Sequence, residues 1–253
     1  YIQHPNLACV LLIGLGCEAN QISFLLDTYQ LNENPFFQTI TIQEAGGLRQ
    51  TIDQGIRLIE EMLPKINRFE RSPQSIEHIS LALQCGGSDA WSGVTANPAL
   101  GYTADLLIKN GGTVLLAETP EIYGAEHLLT RRAIDQSVGK KLLKRIDWWQ
   151  DYVLRNKGSL NNNPTPGNKE GGLSTILEKS LGAAAKGGTT PLMDVLLYAE
   201  RLTGKGFLFM DSPGYDPASV TGQIASGCNL VAFTTGRGSA FGSKPAPAIK
   251  ICS

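Results

Sequence analysis

The sequence predicts an α/β fold, a three-layer Rossmann-like parallel sheet, and three observations predict it. Continuous apolar runs of strand length recur along the chain, each closes on a glycine-containing turn, and each turn opens a helical stretch. Parallel neighbours need a crossover long enough to hold a helix, so this alternation calls for a parallel sheet with helices on its faces. The composition agrees. With 28 glycines among 253 residues, 42% hydrophobic and 18% charged residues, the chain reads as turn-rich and globular. Its 22 Lys+Arg balance 23 Asp+Glu to a formal net charge of -1, which points away from nucleic acid as a partner.

The first unit of the pattern is the apolar run Ala8–Leu15, the turn Gly16-Cys17-Glu18 and an amphipathic stretch to about Tyr29. Phe37–Ile42 follows as a strand and Glu44–Gly47 as a turn. A long helix then runs from Leu48 to Asn67, with Leu48, Ile52, Ile56, Ile59 and Leu63 on one face and Pro64 near its end. Ile79–Leu83 is the next strand, Cys85-Gly-Gly-Ser-Asp89 its turn, and a helix runs through about Lys109 before the strand Thr113–Ala117. One or two helices are expected between Glu121 and Leu154. Asn156–Gly172 is a polar Gly/Pro/Asn loop, too long for a simple connector. A helix over Ser174–Ala185 ends at Gly187-Gly188, and strands follow near Met193–Leu197 and at Phe207–Met210. Asp211–Gly214 opens a helix to about Ala225, Leu230–Phe233 and Pro247–Ile251 are the last strands, and Thr235–Gly238 is the turn between them. The loop suggests two lobes, residues 1–155 and 156–253. Because both ends read as strands cut from something larger, a fragment of a longer enzyme is expected.

No apolar run approaches the roughly 18 residues of a membrane span. Cys9, Cys17, Cys85, Cys228 and Cys252 are an odd and scattered set, which favours reduced thiols and a cytoplasmic location over a disulfide framework. No C-x-x-C pair offers a zinc site. Cys17, Cys85 and Cys228 each have a glycine nearby, so they are either small buried residues at close backbone approaches or parts of a distributed iron or iron–sulfur site. Gly14-Leu-Gly-Cys-Glu is a poor dinucleotide turn, because Ala19 replaces the third glycine and Glu18 would face a pyrophosphate.

Ligands of an open parallel sheet bind beyond the carboxyl ends of its strands. The groups expected there are Cys17-Glu18, Gln43-Glu44, Cys85–Asp89, Glu118–Glu121, Asp211-Ser212 and Thr234–Arg237. Pro120 suits a first helical position, which ends a strand at Glu118 and puts Glu121 in a first turn, either as a cap or, with Glu118, as hard oxygen ligands for a divalent cation. His127 is expected to face solvent or pack. Asn163–Gly172 presents Asn168 and Lys169 together, as a solvated loop or as a grip on an anionic substrate. Arg237 between two glycines suits a bidentate hold on a carboxylate, or a plain salt bridge.

Several longer segments together resemble the altronate and galactarate dehydratase family of sugar-acid dehydratases. They are GLGCEANQ (Gly14–Gln21), CGGSDAWSGVTANPALG (Cys85–Gly101), ETPEIYGAE (Glu118–Glu126), NPTPGNKEGGLSTILEKSLG (Asn163–Gly182) and SPGYDPASVTGQIASGCN with FTTGRGSAFG (Ser212–Gly242). The resemblance implies a lyase that removes water from a hexonate or hexarate to leave a 2-keto-3-deoxy acid, with a divalent metal, usually Fe2+. It makes Glu118, Glu121, Lys169 and Arg237 the catalytic candidates. Ser88, Asp89, Asn168, Lys169 and Arg237 are the substrate-binding candidates, and Cys17, Cys85, Glu118 and Glu121 the metal candidates. A small-molecule sugar acid is the expected partner, with no nucleic acid or membrane and with a homodimer compatible. Gly182-Ala-Ala-Ala-Lys186 lacks the cysteine associated with those enzymes at this place, which leaves a sulfolactate sulfo-lyase-like elimination open. A binding or scaffold lobe completed by residues outside the chain is the alternative from another class, and a nicotinamide enzyme is a third.

Overall fold

The computed structural model describes residues 1–253, which divide into two compact units, Tyr1–Pro73 and Gln74–Ser253. In the first unit, β1 (Val10–Gly14) and β2 (Phe37–Thr41) pair in parallel, with α1 (Ile22–Thr28) between them in sequence and α2 (Leu48–Ile66) after them. Thr51, Gly55 and Met62 of α2 are buried. The apolar stripe read from the sequence, Leu48, Ile52, Ile56, Ile59 and Leu63, lies on another face of that helix and is exposed.

The second unit is a six-stranded sheet whose pairs are all parallel. Its strands are β3 (Ser80–Cys85), β4 (Thr113–Leu116), β5 (Leu192–Leu196), β6 (Gly206–Met210), β7 (Leu230–Thr235) and β8 (Ala248–Cys252), in the order β5-β6-β4-β3-β7-β8. Side chains of a strand alternate between the two sheet faces, and both faces here are apolar. Leu81, Leu83, Val114, Leu116, Phe207 and Phe209 pack on one side with Leu100 and Leu107 of α4 (Ala96–Lys109) and Leu142 of α6 (Gln136–Arg155). Ala82, Leu115, Leu208 and Met210 pack on the other with Val220 and Ile224 of α9 (Asp216–Ser226). Three layers result because strands buried on both faces must be covered on both.

The remaining helices are short: α3 (Ala90–Val94), α5 (His127–Thr130), α7 (Pro166–Glu170) and α8 (Ile176–Ala185). The division expected after residue 155 falls inside the second unit. There the polar segment builds α7, and Asn168 of that helix donates to the Ser88 carbonyl at 2.8 Å, which ties the segment to the turn after β3. Where α4 meets the end of α8, a Cβ on Gly101 would stand 2.1 Å from the Ala185 carbonyl oxygen, so only glycine fits. No helix is long and apolar enough to cross a membrane.

The strand order reverses at β3, whose neighbours β4 and β7 are reached by crossovers that leave in opposite directions. That switch point opens a crevice at the carboxyl ends of the central strands. Leu116 of β4 is fully buried in this part of the sheet. Leu116→Ala is expected to lower the unfolding free energy by about 2–5 kcal/mol, read from urea denaturation; a loss near zero would mean that the sheet centre repacks freely.

Candidate active site and metal centre

A cavity of about 450 Å³ opens at the switch point. Backbone turns at four strand ends shape it. After β3, Gly87 adopts φ +59°, and a Cβ there would lie 2.3 Å from the Gly238 carbonyl oxygen, so the turns after β3 and β7 approach through glycine. The Gly87 carbonyl accepts from the Arg237 amide at 2.9 Å, which hangs Arg237 over the cavity. After β4, Glu118 sits in the left-handed region at φ 72°, ψ 67°, a conformation that strains a side-chain-bearing residue and concentrates at functional sites. The Glu118 amide donates to Ser212 Oγ at 3.0 Å, and the Thr119 amide to the Ser212 carbonyl, so the end of β6 holds the turn in place. Pro120 then starts a 3-10 turn that carries Glu121.

Three donors converge on the cavity wall. Ligand atoms of Cys85, Glu118 and Glu121 lie within 4.8 Å of one another, and all three residues are buried. One oxygen of each carboxylate, Glu118 Oε2 and Glu121 Oε2, is buried without a hydrogen-bond partner. Buried orphan acceptors are costly, and two of them beside a thiol match the donor set of a borderline divalent cation. Two ammonium groups attend the cluster. Lys179 donates to Glu121 Oε1 at 2.9 Å and to Asn163 Oδ1 at 2.8 Å, and Asn163 Nδ2 donates to the same Glu121 oxygen at 2.8 Å. Lys186, 1% exposed, donates to Cys85 Sγ at 2.8 Å.

Burial pushes the Glu118 carboxyl well above the usual carboxylate range; the Glu121 carboxylate adds to this and Lys186 opposes it. Burial likewise raises the Cys85 thiol against the pull of Lys186. For Lys186 burial alone would favour the neutral amine, yet Cys85 and Glu118 outweigh it and hold the ammonium above its ordinary value. Asp216, also on the cavity wall, is raised by burial against a hydrogen bond from Gln84, whose Nε2 donates to Asp216 Oδ1 at 2.8 Å.

The sequence-predicted residues separate into three groups. Cys85, Glu118, Glu121 and Arg237 line the same cavity. Ser88 and Asn168 line it, but both Asn168 groups are committed, Nδ2 to Ser88 and Oδ1 as acceptor from the Thr165 amide and hydroxyl. Asp89 caps α3, accepting from the Ser92 amide at 2.7 Å. Lys169 is exposed and does not line the cavity. Cys17 belongs to the first unit, where it is exposed, and the three-donor cluster is assembled without it. His127 is exposed. Lys179, Lys186, Asn163, Gln84 and Asp216 were not singled out. The signal for the lysines was their spacing: seven residues put both on one face of a helix otherwise rich in small and apolar side chains.

Residues 76–253 match the family described as D-galactarate/Altronate dehydratase, C-terminal. The chain belongs to this family. Residues 1–67 match the second domain of D-galactarate dehydratase/Altronate hydrolase, and the two matches flank the boundary between the structural units. Galactarate dehydratase (L-threo-forming) of Escherichia coli (strain K12) is 39% identical over 249 residues, 96% of this chain and 48% of that protein. Altronate dehydratase of Bacillus subtilis (strain 168) is 37% identical over 252 residues, 100% of this chain and 50% of that protein. The (2R)-sulfolactate sulfo-lyase subunit beta of Chromohalobacter salexigens is 34% identical over 253 residues, 99% of this chain and 64% of that subunit. The chain thus spans about half the length of the curated dehydratases it matches.

A glutamate raised on folding contributes stability that is whole below its unfolded value of about 4.3 and is lost as pH rises through its folded value. Glu118→Gln carries no charge at any pH. Its melting temperature in chelator is therefore expected to match the parent near pH 4 and to exceed it increasingly toward pH 8. A difference that does not change with pH would show that Glu118 titrates as an ordinary carboxyl.

Proposed function

We propose that the protein carrying this chain dehydrates a sugar acid to a 2-keto-3-deoxy acid, with Cys85, Glu118 and Glu121 as ligands of a divalent cation and Fe2+ as the expected ion. The observation that carries the reading is the buried three-donor cluster with two orphan carboxylate oxygens, set beside ionisable groups that are not part of it. A bound cation would supply Lewis-acid charge that eases loss of the proton next to a carboxylate.

The chain's own groups cover the remaining tasks. Only Nη1 of Arg237 bonds to the protein, which leaves the Nε–Nη2 edge for a two-point grip on a carboxylate. Asp216 is the lining carboxylate outside the cluster and the cavity mouth. Gln84 occupies its Oδ1, so Oδ2 is the atom that takes the C2 proton, and its raised pKa brings it toward the range where a general base works best. The electron pair from C2–H forms the C2–C3 double bond as the C3–O bond breaks. Lys179, steadied by Glu121 and Asn163, gives its proton to the departing hydroxyl, which leaves as water. The enol then tautomerises to the ketone, and Asp216 and Lys179 recover their protonation states by exchange with solvent. Elimination of sulfite from sulfolactate would follow the same enolate route, and the match to a sulfo-lyase subunit keeps that substrate in the test.

The test is anaerobic assay of the full-length protein with ferrous iron on altronate, galactarate and sulfolactate. Formation of a 2-keto-3-deoxy product from a sugar acid is expected; silence across the panel with folded, metal-loaded protein would end the reading. Asp216→Asn is expected to lower kcat by about 10²–10⁴-fold while bound iron stays at its parental level. Cys85→Ser is expected to lose iron in elemental analysis after desalting, and full retention would remove Cys85 from the ligand set.

A further inference from the structure

We propose that Lys186 keeps the bound iron ferrous by drawing electron density from the Cys85 thiolate. The inference rests on the metal assignment above and deepens it. Its basis is the charge that the three donors carry once they bind. Ligands of this kind bind deprotonated, so Cys85, Glu118 and Glu121 would each bring one negative charge to a cation that carries two positive ones. Such a set overcompensates Fe2+ and suits Fe3+ better. Anionic donors, thiolate above all, ease the loss of an electron from iron, and a hydrogen bond to the sulfur opposes that loss.

The chain supplies that hydrogen bond with a full positive charge on the donor. Lys186 Nζ donates to Cys85 Sγ at 2.8 Å, and the sulfur is the one hydrogen-bond partner of this ammonium. Both residues are buried, so little water screens the pair. Lys179 takes a corresponding place on Glu121, but in the reaction its proton goes to the leaving hydroxyl. Lys186 has no such task, so its charge offsets the excess of the donors throughout turnover. Its backbone is pinned as well. The Lys186 amide donates to the Ala183 carbonyl at 3.3 Å as it caps α8. Next to it, Arg132 donates through Nη1 and Nη2 to the Gly187 carbonyl, each at 3.2 Å. A Cβ on Gly187 would stand 2.6 Å from the Phe207 ring of β6, so this segment is wedged against the sheet. Lys186 thus acts through Cys85, as a residue that sets the electronic character of a ligand.

The experiment loads the full-length protein, Lys186→Met, Lys186→Gln and Lys186→Arg anaerobically with ferrous iron and measures retained iron after desalting. The bound iron is then poised with redox dyes, and its ferric share is read by electron paramagnetic resonance. Cobalt(II)-loaded samples give the sulfur-to-metal charge-transfer band, a readout of the bond to sulfur that involves no change of oxidation state. Lys186→Met is expected to retain iron at the parental level. At the same poise it should hold about tenfold more ferric relative to ferrous iron, a shift of about 59 mV for one electron, and its cobalt band should move to lower energy. In air, where one electron passes from Fe2+ to dioxygen to leave Fe3+ and superoxide, it should oxidise faster than the parent. Lys186→Gln, a neutral donor, is expected to fall between the two, and Lys186→Arg, a charged one, near the parent. A ferric share and a cobalt band that Lys186→Met leaves unchanged would overturn the proposal, as would loss of iron from that variant; should it fail to fold, Lys186→Gln decides by the same readings. A parent that retains no iron removes the metal assignment itself, whereas a parent that retains iron with a redox balance indifferent to residue 186 removes this inference alone.

Discussion

The structure depends on a group of ionisable side chains held out of water at one end of a parallel sheet. Cys85, Glu118, Glu121 and Lys186 are all buried there, and Lys179 nearly so. Isolated buried charges are too costly to keep. The group persists because each member is partnered: Lys186 on Cys85, Lys179 on Glu121, and Gln84 on Asp216. Partnering is incomplete at two carboxylate oxygens. The same arrangement that would be a weakness in an inert core leaves the site short of positive charge, which is what a divalent cation would supply.

The scaffold explains why such a group can be held rigidly. Two apolar layers, one on each face of the sheet, fix the strand ends, and the acids project from the turns just beyond them. Paired glycine contacts between the β3 and β7 turns, and Ser212 bridging the ends of β6 and β4, set the positions of Arg237 and Glu118 through backbone bonds. The strained backbone of Glu118 is tolerated because these bonds over-determine it. Polar side chains reach across layers as well: Asn97 of α4 joins Thr234 at the end of β7 to the Gly182 carbonyl of α8. Through such links α8 is set so that Lys179 and, just past its end, Lys186 face the cluster.

Much of this was legible along the chain. The strands were readable because a parallel strand buried on both faces is a short continuous apolar run, and Cys85, Glu118, Glu121 and Arg237 were readable because strand ends define the mouth of such a sheet. Asp89, Asn168 and Lys169 show where that reasoning thins. Their positions beside glycines suggested presentation to a ligand, but Asp89 and Asn168 serve as helix-capping partners and Lys169 faces solvent. The helical period puts Lys179 of α8 and Lys186 at its C-terminal end on one face, yet no local pattern said that this face was the buried one.

The sequence by itself determined the layer architecture, the order of strands and turns, and which turns carry acids, thiols and an arginine, since hydrophobic period and glycine placement are local properties. Only the tertiary structure decided which of those groups meet. Cys85 and Lys186 are 101 residues apart and bond directly, and Asp216 joins Gln84 across 132 residues. Such pairings are made by crossovers and sheet order, which no stretch of local sequence encodes. Whether a given lysine is a solvated charge or a buried partner depends on what the rest of the chain brings to it.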